Sequence, residues 1–176
     1  DPEHPIRRIV IPHQDELERW GQLDASGEHN YAKARGLEHK YPDTALLLTS
    51  DVCGGLCRFC FRKRLFMADN DEVSRDVSAG LAYIRQHPEI NNVLLTGGDP
   101  LLLSTRRLSE ILAELRSIDH VRIIRIGSKM PAFNPYRILN DPELLEILGR
   151  YSLPNQRIYL MAQFNHPREL TDEAIE

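Results

Sequence analysis

Ala45-Leu46-Leu47-Leu48-Thr49-Ser50-Asp51-Val52-Cys53-Gly54-Gly55-Leu56-Cys57-Arg58-Phe59-Cys60 joins a short apolar run to every cysteine of the chain. A run of this length, rich in leucine and ended by polar residues, reads as a fully buried strand. The loop behind it carries thiols at the spacing C-x3-C-x2-C. Three thiolates at one strand end make a candidate metal site, and a cubane [4Fe-4S] cluster, which normally takes four cysteines, would keep one iron open there. An open position is what distinguishes catalytic from structural metal centres. A zinc knuckle would want a fourth ligand, and His29 and His39 lie upstream without a familiar zinc spacing. A disulfide would be strained at such short separation and would leave one cysteine over. A non-enzymatic iron-sulfur or zinc-binding module stands as the alternative from a different functional class.

Outward from this loop, residues 45–176 alternate strand and helix signals. Strands are expected over Ala45–Thr49, Asn92–Thr96, Val121–Ile126 and Arg157–Phe164. Helices are expected over Glu72–Gln86, after Ser104 with Leu108, Ile111, Leu112 and Leu115 inside, after Asp141-Pro142, and after Thr171. Strands joined by helices pair in parallel through right-handed crossovers. The expected fold is therefore α/β, a partial parallel (βα) barrel of four βα units, preceded by a helical or irregular N-terminal arm over residues 1–44. In that arm Leu17 and Trp20 share a helical face suited to packing on the main domain.

Active sites of such folds lie at the carboxyl ends of the strands. That rule gathers the cysteine loop, Gly97-Gly98-Asp99, Ser128-Lys129 and Gln163-Phe164-Asn165-His166 at one edge. Gly97 and Gly98 let a ligand approach the backbone, and Asp99 suits a cationic amine; the same three residues also read as a tight turn whose Asp caps a helix. Arg62, two residues beyond the last thiol, is the cation singled out from the basic group Arg58, Arg62, Lys63 and Arg64.

Composition narrows the function. The chain has 176 residues, 41% apolar and 27% charged, with a net charge of -4. That is one soluble domain, with no general case for nucleic acid, no apolar run long enough for a membrane span and no signal peptide. Free thiols fit a reducing, cytoplasmic location. The first residue is Asp rather than Met and Glu176 follows a helix start, so a longer polypeptide is expected.

With these residues in place the chain resembles the radical S-adenosylmethionine (SAM) superfamily and, within it, the lysine 2,3-aminomutase family. The resemblance is carried by His39-Lys-Tyr-Pro-Asp43, Cys57-Arg-Phe-Cys60 with Arg62-Lys-Arg64, Leu94-Leu-Thr-Gly-Gly-Asp99 with Leu101-Leu102, Arg125-Ile-Gly-Ser128 and Phe164-Asn-His-Pro167. It implies a [4Fe-4S] cluster on Cys53, Cys57 and Cys60, with SAM on the open iron. An external electron donor such as flavodoxin or ferredoxin would reduce the cluster, and a 5'-deoxyadenosyl radical would take hydrogen from an amino acid. Pyridoxal phosphate (PLP) would support 2,3-migration of the amino group. The resemblance further implies SAM contacts at Gly97, Gly98, Asp99, Ser128, Lys129 and Gln163, a substrate carboxylate at Arg62, and the PLP phosphate at Lys40 and Tyr41. A homo-oligomer is compatible with it. Departures are Thr44 where the family has a second arginine after Tyr-Pro-Asp, Phe59 for histidine inside the cysteine motif, and Gln163 for histidine. The lysine that holds PLP and the acidic residues that read a lysine side chain belong to a C-terminal part beyond these residues. A related radical SAM reaction on another amino acid or a protein-bound lysine, with or without PLP, is the runner-up.

Overall fold

The buried run around Leu47 is an inner strand of a six-stranded sheet in the computed structural model, which describes residues 1, 3–18, 20–67 and 71–176. The strands are β1 (Ala32–Ala34), β2 (Leu37–Tyr41), β3 (Thr44–Ser50), β4 (Asn92–Gly97), β5 (Ile123–Ser128) and β6 (Arg157–Ala162), side by side in that order. The last four pair in parallel, as the alternation requires, while β1 and β2 are antiparallel additions on the β3 side. The sheet is open, ending at β1 and β6.

Helices α1 (Pro5–Val10), α2 (Ser78–Gln86), α3 (Thr105–Arg116), α4 (Met130–Phe133), α5 (Tyr136–Leu139), α6 (Pro142–Tyr151) and α7 (Asp172–Ile175) complete the described structure. Ala45, Leu47, Val93, Leu95, Ile124 and Ile126 point to the side covered by α2, α3 and α6, where Leu81, Ile84, Leu108, Ile111, Leu112, Leu115, Leu144 and Ile147 close the core. Gly80 lets α2 pack closely on the sheet, because a Cβ there would stand 2.6 Å from Leu47 Cδ1. Since successive strand residues alternate sides, Leu46, Leu48, Leu94, Thr96, Ile123, Arg125, Gly127, Tyr159 and Met161 belong to the opposite face. No helix among the described residues is long and apolar enough to cross a membrane.

The caps fall where the sequence puts them. Ser104 Oγ accepts from Arg107 N at 3.2 Å, Asp141 Oδ1 from Leu144 N at 3.1 Å, and Thr171 Oγ1 from Ala174 N at 3.3 Å. The helix expected from Glu72 starts at Ser78 instead. Ser74 donates to Asp76 O at 2.5 Å, Asp76 Oδ1 accepts from Ser78 N at 3.0 Å, and Glu72 is drawn to Arg64, so the chain turns before it coils. The arm also differs from expectation: it supplies β1 and β2, and Leu17 and Trp20 are 78% and 86% exposed rather than packed on the domain. Strand β2 escapes a periodicity reading because its buried side chains are one leucine and one glutamate, Leu37 and Glu38.

Candidate functional site

Two loop backbones lie in direct contact at the carboxyl edge of the sheet. Gly98 N donates to Ser50 O at 2.5 Å and Asp99 N to Val52 O at 2.7 Å, stitching the loop after β4 to the segment that leads into Cys53. The glycines make this approach possible. Gly97 has φ +106°, and a Cβ on Gly98 would stand 2.3 Å from Val52 O. On the other side, Gly54 and Gly55 lie against α4, where added Cβ atoms would come within 3.1 Å of Met130 Sδ and Phe133 Cε2. The arm holds the third side: Arg58 N donates to Ile9 O at 2.9 Å, and the Arg58 guanidinium bonds Arg8 O and the Glu16 carboxylate.

The three thiols on this wedged loop are free of disulfides and half-buried. Burial pushes Cys53 up to about 12, with further contributions from Asp99, Cys60 and Cys57. Burial likewise raises Cys57, and the Lys129 ammonium partly opposes it. The anionic forms of Cys53 and Cys57 are therefore costly until a cation takes the charge, as a bound iron would. An all-sulfur donor set of three on one short loop fits a cluster that leaves a position open.

Asp99 is 4% exposed and closes the second loop. Its Oδ1 accepts from Leu101 N at 3.0 Å, capping the 3-10 turn Pro100–Leu102, and its Oδ2 accepts from Lys129 N at 2.8 Å. The carboxylate expected to meet an amine is thus engaged with two backbone amides and fastens the end of β4 to the end of β5. Ser128 Oγ accepts from Met130 N at 3.0 Å and starts α4. Lys129, expected as a SAM contact, is buried in a cage: Nζ donates to Glu169 Oε1 at 2.6 Å, Asn165 Oδ1 at 2.7 Å and Gln163 O at 3.3 Å, and sits 4.9 Å from the centroid of the Phe133 ring. Burial would raise Glu169, but the Lys129 ammonium and the N–H groups of Asn165 and His166 outweigh it and hold the carboxyl below its ordinary value. Gln163 is bound through its backbone N to Ser128 O at 2.9 Å and leaves its side chain exposed at the edge.

Arg62 also faces inward. Its Nε reaches both oxygens of Glu28 at 3.1 Å, Nη2 reaches Glu28 Oε1 at 2.6 Å, and Nη1 reaches Thr96 Oγ1 at 2.7 Å. The fork expected to grip a substrate carboxylate is filled by a carboxylate of the arm. Arg64 joins the same cluster through Glu28 Oε2 at 2.9 Å, Glu72 Oε2 at 2.8 Å and Asp24 Oδ1 at 3.3 Å. Four carboxylates, counting Glu38, thus share two guanidinium groups. Burial first, and then Glu28, push Glu38 up to about 7.

Lys40 and Tyr41 are not brought to this edge. They sit at the β2–β3 turn, with Tyr41 opposite Thr44 at the amino end of β3, and Lys40 Nζ lies 5.0 Å from the centroid of Tyr31. Among the residues that sequence reasoning missed, Glu169 had a signal: it stands three residues after His166, the spacing of a capping box, which the structure contains. Glu28 had none.

Against known proteins, residues 47–175 match the model of the radical SAM superfamily. The chain is 67% identical over 175 residues to a protein of Aquifex aeolicus provisionally named as an L-lysine 2,3-aminomutase, covering 99% of this chain and 47% of that protein. It is 40% identical over 177 residues to the L-lysine 2,3-aminomutase of Clostridium subterminale, covering 99% and 41%, and 41% identical over 173 residues to that of Fusobacterium nucleatum, covering 97% and 39%. The chain spans less than half the length of each of these relatives. The superfamily's cofactors are a [4Fe-4S] cluster and SAM, and its enzymes need an electron donor. That match begins within β3 and continues through the parallel strands that bring the cysteine loop to the glycine pair, so this chain belongs to the radical SAM superfamily.

Proposed function

We propose that the chain carries the SAM-cleaving part of an amino acid 2,3-aminomutase, with Cys53, Cys57 and Cys60 as ligands of a [4Fe-4S] cluster and lysine or a close relative as substrate. When bound, the cluster and SAM supply reductive formation of a 5'-deoxyadenosyl radical, and PLP supplies the ring that supports amino migration.

The chain's own residues prepare the site. Gly97 and Gly98 let the loop after β4 close on the Ser50–Val52 backbone and so hold it beside the cysteine loop, where the amine and carboxylate of SAM would approach the open iron. Asp99 and Ser128 fix the two strand ends by holding backbone N–H groups, and Lys129 with Glu169 fixes the third. Gln163 offers an exposed amide at the same edge. Arg62 shapes the loop from beneath through Glu28, so its part in this reading is positioning.

The observation that carries the proposal is the three-thiol loop stitched to Gly98 and Asp99 through Ser50 and Val52. It is tested by anaerobic reconstitution with iron and sulfide, followed by dithionite and SAM. Release of 5'-deoxyadenosine is expected, and the full-length protein supplied with lysine and PLP should in addition release 3,6-diaminohexanoate. A colourless protein that leaves SAM intact would overturn the reading.

A further inference from the structure

A half-buried guanidinium with no counter-charge on the protein is open to pairing with an anion from outside it. Most shielded cations among the described residues have an internal counter-charge or carbonyl partners. Arg62 and Arg64 have Glu28, Lys129 has Glu169, Arg137 has Asp141, and Arg116 donates to the carbonyls of Tyr151, Val121, Gln156 and Arg157. Arg125 differs. It is half-buried in the middle of β5, its Nε donates to Asn92 Oδ1 at 3.0 Å, and among the described residues it has no ion pair and no partner for Nη1 or Nη2.

Its place in the sheet is equally specific. Ile124 and Ile126 face the helices, so Arg125 stands on the opposite face, between Leu94 of β4 and Tyr159 of β6 in the strand register. Tyr159 is 50% exposed. Gly127, the next residue on that face toward the cysteine loop, pairs with Met161, which is 49% exposed. Nothing in the backbone or the packing demands a glycine at that position. Its φ is not positive, and an added Cβ would meet only Leu94 Cδ1 and Leu95 O at 3.6 Å and Thr96 Oγ1 at 4.0 Å, ordinary contact distances. A glycine inside a strand weakens it, and here it leaves bare backbone over which a ligand can lie close.

The geometry points to an oxyanion subsite on the open face of the sheet: the Arg125 guanidinium, oriented by Asn92, receives the carboxylate or phosphate of a small molecule that lies over Gly127 toward the cysteine loop. The planar fork suits two-point binding of either group. From Arg125 to Ser128 the strand rises about 10 Å, which sets the length of the molecule between its anionic end and the cluster edge. The proposed function supplies only the direction of the reacting end.

Calorimetric titration of the purified protein tests this with two matched pairs: pyridoxamine 5'-phosphate against pyridoxamine, and lysine against 1,5-diaminopentane. In Arg125→Gln the anionic member of one pair should bind at least tenfold more weakly and its oxyanion-free partner unchanged. A loss confined to the first pair identifies a phosphate, and one confined to the second a carboxylate. Equal loss for both members of a pair, no loss in either pair, or no binding of either anion by the unaltered protein overturns the subsite. Should Arg125→Gln fail to fold, Arg125→Lys keeps the charge without the fork and should show the same selectivity at smaller amplitude. Gly127→Val should melt close to the unaltered protein and bind the same anion at least tenfold more weakly; unchanged binding would refute the bare floor. Absence of SAM cleavage would remove the proposed function and leave this test standing, because the titration reads binding alone.

Discussion

The Asp99 carboxylate accepts the backbone N–H of Lys129 at 2.8 Å while its other oxygen caps Leu101, so one buried side chain fixes the carboxyl ends of two parallel strands. The loops that follow those strands are thereby held beside the cysteines, which makes the first consequence mechanical. Asp99→Asn keeps one acceptor and turns an NH2 group toward one of two N–H donors. Leaving a buried donor unpaired costs about 1–3 kcal/mol, so the melting temperature should fall by several degrees. An unchanged melt would mean that the carboxylate is free for a ligand after all.

A second expectation concerns the glycines. Gly98→Ala must move the Val52 carbonyl, since the new Cβ would stand 2.3 Å from it, and the reconstituted iron content should drop with the displaced cysteine loop. Gly149→Ala, in α6 with nothing within 4 Å of the new Cβ, should instead stabilise the chain by about 0.5–1 kcal/mol. Equal effects on folding and iron content at the two positions would refute the stitched-loop account.

The buried ion cluster predicts an asymmetry. Glu28→Ala strips the shared carboxylate from Arg62 and Arg64 together and should cost about 3–5 kcal/mol, the loss expected when one partner of a buried pair is removed. A combined Glu28→Leu and Arg62→Met change should cost markedly less than the two single changes added. Chemical denaturation of the three variants checks this, and simple additivity would contradict direct coupling.

Glu38 sets a pH dependence. Its folded value of about 7 lies above the ordinary 4.5, so the folded chain retains a proton there that the unfolded chain has lost. That contribution to stability is complete below 4.5 and is lost as pH rises through about 7. Glu38→Gln should therefore match the unaltered protein in acid and exceed it above neutrality by an amount on the order of a few kcal/mol. Parallel melting profiles across that range would show that Glu38 is ionised in the fold.

Much of this was legible beforehand. The buried runs at β3, β4 and β5 and the exposed edge strand β6 marked themselves by apolar composition, and Ser104, Asp141 and Thr171 by cap chemistry. The site edge was legible because parallel strands put their following loops on one side. Side-chain orientation was not. Lys129 and Arg62 carry the right charges for ligands, but their partners Glu169 and Glu28 lie 40 and 34 residues away in sequence, and only the fold brings each pair together. Asp99 exemplifies the ambiguity, because a carboxylate after a glycine pair reads equally as a ligand and as a cap until its two N–H donors are seen. Strand β2 was missed for a related reason, since Glu38 occupies a buried position that a hydrophobic pattern would assign to an apolar residue.

The central claim is that three thiols on one loop leave an iron open for SAM. Low-temperature electron paramagnetic resonance of the reconstituted, dithionite-reduced protein tests it most directly. A [4Fe-4S]+ signal whose g values change when SAM is added, and which is abolished in Cys57→Ala, is expected; a signal indifferent to SAM, or one that survives loss of Cys57, would rule out the open iron.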